Sequence, residues 1–241
     1  MKVLIIEDDP VTSGYLVKAL GESGHNAEAL ADGVSTDLDF RRRMAGAAFG
    51  VSSNYDAAIG TWIREGGQPE VLSLLETTCT SLRYGENPHQ QGAFYGDLEG
   101  LFAQHNGKAL SYNNLLDVDA AVQLMHEFKN GEPTVAILKH TNPCGVATAD
   151  DLGTAWERAY ATDRQAPFGG IIVVNNTLDL GLAKKIGEIF CEVIIAPGFT
   201  DEAREVFAKK KNLRLLVSKA GFGAETLQEI RSVPGGYLAQ D

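Results

Sequence analysis

From residue 133 onward, short β-branched apolar runs alternate with segments whose apolar residues recur at helical spacing. The runs 134–138, 171–174, 193–196 and 213–217 are predicted strands, and 152–161, 182–190 and 202–210 are predicted helices. Alternation of this kind predicts an α/β fold, a layered and mostly parallel sheet with covering helices. Upstream, Leu115, Val118, Val122, Met125 and Phe128 mark a further helix, with Asn114 in the position of its N-cap. Breaks at Gly66-Gly67-Gln68-Pro69, Gly131-Glu132-Pro133 and Gly221-Phe222-Gly223 read as turns.

The first part of the chain follows another pattern. Residues 3–6 form an apolar strand ending in Glu7-Asp8-Asp9-Pro10, then Val11, Tyr15, Leu16, Ala19 and Leu20 repeat at helical spacing, and 27–31 form a second strand. Residues 35–62 read as helical. The expected division is therefore a βαβ piece over 1–33, a helical connector over 34–66 and an α/β domain over 67–241.

Composition narrows the function classes. With 44% hydrophobic residues in 241, there is chain enough for a core, and no apolar run is long enough for a membrane span. A net charge of −11 argues against broad binding to nucleic acid or anionic membranes, and the triplet Arg41-Arg42-Arg43 is too short to reverse that. Anionic ligands would need local basic groups such as Arg83, Lys108 and Lys139. The three cysteines, Cys79, Cys144 and Cys191, are too widely spaced for a zinc site, so no metal is expected; their odd number suits reduced thiols in a cytoplasm.

Candidate chemistry centres on Leu138-Lys139-His140-Thr141-Asn142-Pro143-Cys144-Gly145. A strand that stops at Lys-His and turns through Asn-Pro and Cys-Gly sets an imidazole and an ammonium at the carboxyl edge of the sheet, where open α/β sheets bind ligands. Histidine titrates near neutral pH and can accept a proton from a weak nucleophile, while lysine can hold developing negative charge. On the residues alone the pair also fits a solvated lysine and a histidine satisfying a turn. Arg83 likewise fits a surface ion pair or, beside Tyr84, a phosphate fork. Asn114 fits a helix cap or a ligand contact, and Gly169 fits a strand start or close backbone approach to a ligand. His89, His105 and His126 read as surface or capping residues.

Three further segments keep company with the Lys-His run: Leu82-Arg83-Tyr84-Gly85-Glu86-Asn87-Pro88-His89-Gln90, Lys108-Ala109-Leu110-Ser111-Tyr112-Asn113-Asn114-Leu115-Leu116-Asp117, and Pro167-Phe168-Gly169-Gly170-Ile171-Ile172. Together they resemble AICAR transformylase, the formyltransferase half of a bifunctional purine-biosynthesis protein whose other half is IMP cyclohydrolase. The resemblance covers about 34–241. It implies a cytidine-deaminase-like fold without zinc, formyl transfer from 10-formyltetrahydrofolate to the 5-amino group of AICAR, and a homodimer. It also implies roles: His140 as proton acceptor, Lys139 as transition-state stabiliser, and Arg83, Tyr84, Asn114, Gly169 and Glu192 as nucleotide contacts.

Residues 1–33 instead resemble the opening of a response-regulator receiver domain, where Glu7 and Asp8 would help bind magnesium; an acidic helix start explains the pair equally well. No strand ending in a phosphoacceptor aspartate follows, which argues against a phosphorelay role. The cyclohydrolase core that precedes the Phe40 helix in the family is not seen, and the sequence stops before the second half of the transformylase. The expectation is a hybrid or truncated product that carries out formyl transfer, which the truncation could impair; the alternative is a catalytically inactive nucleotide-binding fragment.

Overall fold

A computed structural model describes residues 2–6, 10–22, 26–30, 38–63, 78–219, 222 and 229–240. They divide into two units, Met1–Leu75 and Glu76–Asp241. In the first, β1 (Lys2–Ile6), α1 (Pro10–Glu22) and β2 (Asn26–Leu30) form a βαβ unit whose strands pair in parallel, Lys2 opposite Asn26 through Ile6 opposite Leu30. Proline opens α1, where its missing N–H costs nothing. The connector is one 26-residue helix, α2 (Leu38–Ile63). Glu7 and Asp8, and with them the magnesium expectation, lie outside the described residues.

The second unit starts with an antiparallel hairpin, β3 (Cys79–Leu82) and β4 (Gly92–Tyr95), then a single turn, α3 (Leu98–Leu101), and β5 (Phe102–Asn106). There follow α4 (Tyr112–His126), β6 (Thr134–Lys139), β7 (Asn142–Thr148), α5 (Leu152–Thr162), β8 (Gly170–Val174), α6 (Leu180–Gly187), β9 (Cys191–Ala196), α7 (Asp201–Ala208) and β10 (Arg214–Ser218). A second hairpin, β11 (Glu229–Val233) with β12 (Gly236–Gln240), pairs antiparallel. The central sheet runs in the order β5-β10-β9-β8-β6-β7.

Burial on both faces explains the unbroken apolar runs of its inner strands. Val135, Ile137, Ile172, Val174, Ile194 and Leu215 face α5, α6 and α7, meeting Trp156, Ile186 and Phe207. Their neighbours Ala136, Leu138, Ile171, Val173, Ile195 and Leu216 face α4, meeting Val118, Ala121 and Met125. The period of two thus divides each strand between two cores. Asp151, Asp179 and Thr200 cap α5, α6 and α7 through side-chain oxygens that accept backbone N–H bonds.

The expected mostly parallel sheet is instead mixed. Only β8·β9 and β9·β10 pair in parallel, while β6 runs antiparallel to both β7 and β8, and β5 antiparallel to β10. For β6 the reason lies in Asn142-Pro143-Cys144-Gly145, expected as a turn and found as strand. The reversal is confined to His140 and Thr141, and so short a link permits only antiparallel pairing. Pro143, which has no N–H to share, is tolerated because β7 is an edge strand and the register shifts beside it.

Candidate functional site

The N-terminus of α4 organises the site. Ser111 is its N-cap, where Asn114 was expected: Ser111 Oγ accepts the Asn114 N–H at 3.2 Å and Asn114 Oδ1 accepts the Ser111 N–H at 3.2 Å. Asn114 therefore sits one turn in, closing a capping box with its amide oxygen. Its amide nitrogen is left to donate to Glu192 Oε2 at 2.9 Å, at the start of β9. That carboxylate also faces Arg214 at 3.6 Å. Arg214 is fixed in turn by donating to the carbonyls of Lys108, at 3.1 Å, and Ala109, at 3.3 Å.

Only 13% of the Arg214 side chain is exposed. Burial lowers its pKa, opposed by the Glu192 carboxylate and by Tyr84. A guanidinium stays charged regardless, so the cost of burying it is offset by these partners.

Across from this network, the hairpin between β3 and β4 carries Arg83 and Tyr84. The Arg83 guanidinium lies 5.5 Å from the centre of the Tyr84 ring. The loop that follows closes on itself, with the Gly85 N–H donating to Gln90 O at 2.8 Å and the Asn87 N–H donating to Gln90 Oε1 at 2.7 Å. Asn113 Nδ2 donates to Glu86 O at 3.2 Å and so ties the loop to α4. Gly92 is required here, since a Cβ would come within 2.7 Å of the Tyr84 carbonyl.

These elements enclose a cleft of about 650 Å³ that contains Arg83, Tyr84, Asn114 and Glu192. Its charged lining is Arg83, Lys108, Arg214 and Lys219 against Glu99 and Glu192. In a chain of net charge −11 the cleft is thus locally cationic, suited in size and sign to an anionic small molecule.

The remaining expected residues gather at a second place. Lys139 ends β6 and its Nζ donates to the Phe168 carbonyl at 2.7 Å. His140 is exposed in the hairpin turn, and Gly169, at φ 77°, donates its N–H to Phe190 O at 2.8 Å. Lys139, His140 and Gly169 do not line the cleft. The two groups share α4, because Asp117 Oδ1, one turn beyond Asn114, accepts the Thr141 N–H at 2.6 Å.

Cys144 and Cys191 are poorly placed for nucleophilic work. Burial, then the charge of Asp163, raises the Cys144 pKa, and burial pushes Cys191 up to about 12. Among the described residues no three His, Cys, Asp or Glu side chains converge as a metal site. Nor is any described helix long and apolar enough to cross a membrane.

Arg214, Ser111 and Asp117 were given no role by the sequence. The signal for Arg214 is an arginine set against the apolar run that follows it; Ser111 and Asp117 lie inside the stretch 108–117, but their partners are remote in sequence or set by helix geometry.

A layered α/β unit with a cationic cleft at a helix N-terminus places the protein in the α/β class, with a cleft of the size and sign that suit a small anionic molecule. Residues 22–241 match the AICARFT/IMPCHase bienzyme family, and the chain belongs to it. The match takes in β2, inside the segment set apart as 1–33. Among its relatives, the bifunctional purine biosynthesis protein PurH of Chloroflexus aurantiacus is 51% identical over 205 residues, covering 85% of this chain and 40% of the relative. PurH of Roseobacter denitrificans is 48% identical over 216 residues, 86% of this chain and 41% of the relative. PurH of Chlorobium chlorochromatii is 42% identical over 229 residues, 89% and 43% respectively. The chain therefore spans about two fifths of these relatives' length.

Proposed function

We propose that the chain binds AICAR in the cationic cleft and passes it a formyl group from 10-formyltetrahydrofolate. One observation carries this reading: Arg83 and Tyr84, Asn114, and Glu192, from three separate stretches of sequence, line one cleft, and the helix that supplies Asn114 also holds the turn bearing His140. Arg83 takes the phosphate, with Tyr84 stacked beside it, and Asn114 and Glu192 fix the ribotide by hydrogen bonds. The 5-amino nitrogen attacks the formyl carbon while His140 accepts its proton, and Lys139 stabilises the oxyanion as the bond from carbon to folate N10 breaks. The departing N10 then takes a proton, leaving tetrahydrofolate and the formamide. Gly169, outside the cleft beside Lys139 and with its N–H taken by Phe190 O, would meet the ligand through its carbonyl at that end. Folate is a cosubstrate here, and no metal takes part.

A homodimer in a cytoplasm completes the reading. Ring closure to IMP is not assigned to this chain. The test is calorimetry with AICAR ribotide against its dephosphorylated nucleoside: the ribotide should bind at least tenfold more tightly, and equal affinity would remove the phosphate role of Arg83.

A second reading, binding without turnover, draws support from Lys139. Its ammonium is engaged by the Phe168 carbonyl, and it lines no part of the cleft. Ribotide binding with no formyl transfer would decide for it.

A further inference from the structure

We infer that Asp117 is a positioning residue: its carboxylate holds the reversed turn at His140 and Thr141, and through that turn the orientation of Lys139 and His140. The inference rests on the transferase reading above for its catalytic consequence, and on geometry alone for the turn. His140 has φ 52° and Thr141 has φ 65°, two successive residues in the left-handed region. A two-residue hairpin of this kind matches the twist of its strands, yet it favours Asn-Gly, where the side chains tolerate positive φ. Here a histidine and a threonine occupy it, and a β-branched residue at positive φ is an outlier. Histidine is among the residues that tolerate this region, so the strain sits at Thr141, whose conformation residue preference does not hold.

Beside the Lys139–Asn142 strand pair that closes the hairpin, three side-chain hydrogen bonds hold the turn's backbone. Thr141 Oγ1 and Asn142 Nδ2 both donate to the His140 carbonyl, at 2.6 and 2.8 Å, and both are local. The third comes from another element: Asp117 Oδ1 accepts the Thr141 N–H at 2.6 Å across 24 residues of sequence. A short bond from an amide to a carboxylate is of the charge-assisted kind and is stronger than a neutral one. Lys139 gains a separate anchor at the Phe168 carbonyl, but that bond grips the side chain and leaves the turn free. Asp117 is thus the link from the buried helix to the turn. Asn114, one turn earlier on α4, holds Glu192 in the cleft. One helix therefore sets the spacing between the ribotide contacts and the proposed base.

Strain and anchor predict coupling. Asp117→Ala should speed amide exchange at Thr141 at least tenfold and lower kcat about tenfold, with KM for AICAR ribotide changed less than twofold. Asp117→Asn keeps a carbonyl acceptor and should retain most of both. Thr141→Gly removes the positive-φ penalty, so adding it to Asp117→Ala should recover most of the lost kcat. A purely structural role would lower the melting temperature and leave kcat, the amide and the rescue unmoved. Unchanged Thr141 exchange in Asp117→Ala, or no recovery in the double variant, overturns the proposal. If the parent chain transfers no formyl group, the transferase reading fails separately, while amide exchange and the order of the His140 ring by NMR relaxation still decide whether Asp117 holds the turn.

Discussion

Glu192 Oε2 serves two partners at once, accepting from Asn114 and facing Arg214, so its charge is what makes the network hold together. Replacing it with Gln leaves the Arg214 guanidinium buried without its counter-charge and one amide facing another. Glu192→Gln is expected to weaken ribotide binding by roughly ten- to a hundredfold, the size of a lost charge-assisted hydrogen bond, as read by calorimetry. Affinity within twofold of the parent would mean that Glu192 serves only the fold. The sequence reached Glu192, Asn114, Arg83 and Tyr84 through the motifs that contain them. It could not reach Arg214, whose partners are backbone carbonyls more than a hundred residues away and a carboxylate 22 positions back. It also mistook Asn114 for the N-cap, because Ser111 precedes Tyr112, a residue that belongs to the helix without marking the apolar stripe that was counted.

At the scale of elements, apolar runs identified β6, β8, β9 and β10 because each is buried on both faces, and the same runs hid the direction of pairing. Nothing in a run of Val and Ile says which way its neighbour points; that was decided at His140 and Thr141, by backbone angles that a sequence does not display. β7 was missed because proline and glycine were read as turn residues, whereas Gly145 is there for packing: a Cβ would lie 2.1 Å from the Ala159 carbonyl on α5. Gly145→Ala should therefore cost about 1–3 kcal/mol, the range for overpacking, visible as a lower thermal midpoint, while the open position Gly46 on α2 should accept Ala without loss. Equal midpoints for the two variants would contradict the close approach of β7 to α5.

A pH effect belongs to the same elements. Side-chain and backbone hydrogen bonds from Thr154 hold the Asp151 carboxyl below the usual range, and backbone bonds from Ala166 and Gln165 do the same for Asp163. Carboxyls depressed in the folded state stabilise it fully above their unfolded pKa. That contribution is lost as pH falls through the folded value, so melting temperature should decline below about pH 4 and less steeply in Asp151→Asn.

For the whole molecule, a net charge of −11 and a cationic cleft act together, since the convergence of Arg83, Lys108, Arg214 and Lys219 offsets the general repulsion of anions there. Salt should therefore weaken ribotide binding. On α2, Phe49 and Trp62 are 75% and 70% exposed, with Val51, Tyr55 and Ile63 also open to solvent. Apolar surface of this kind accords with self-association, so light scattering should detect a dimer or larger species, reduced by Phe49→Ser with Trp62→Ser; a clean monomer would remove the dimer from the account. The most direct test of the transferase reading is a single-turnover assay of formyl transfer from 10-formyltetrahydrofolate to AICAR ribotide by this chain and by His140→Ala. The account predicts measurable transfer that falls by ~10²- to 10⁴-fold in the variant, the usual share of a general base. No transfer by the parent chain, or equal transfer by both, would contradict it.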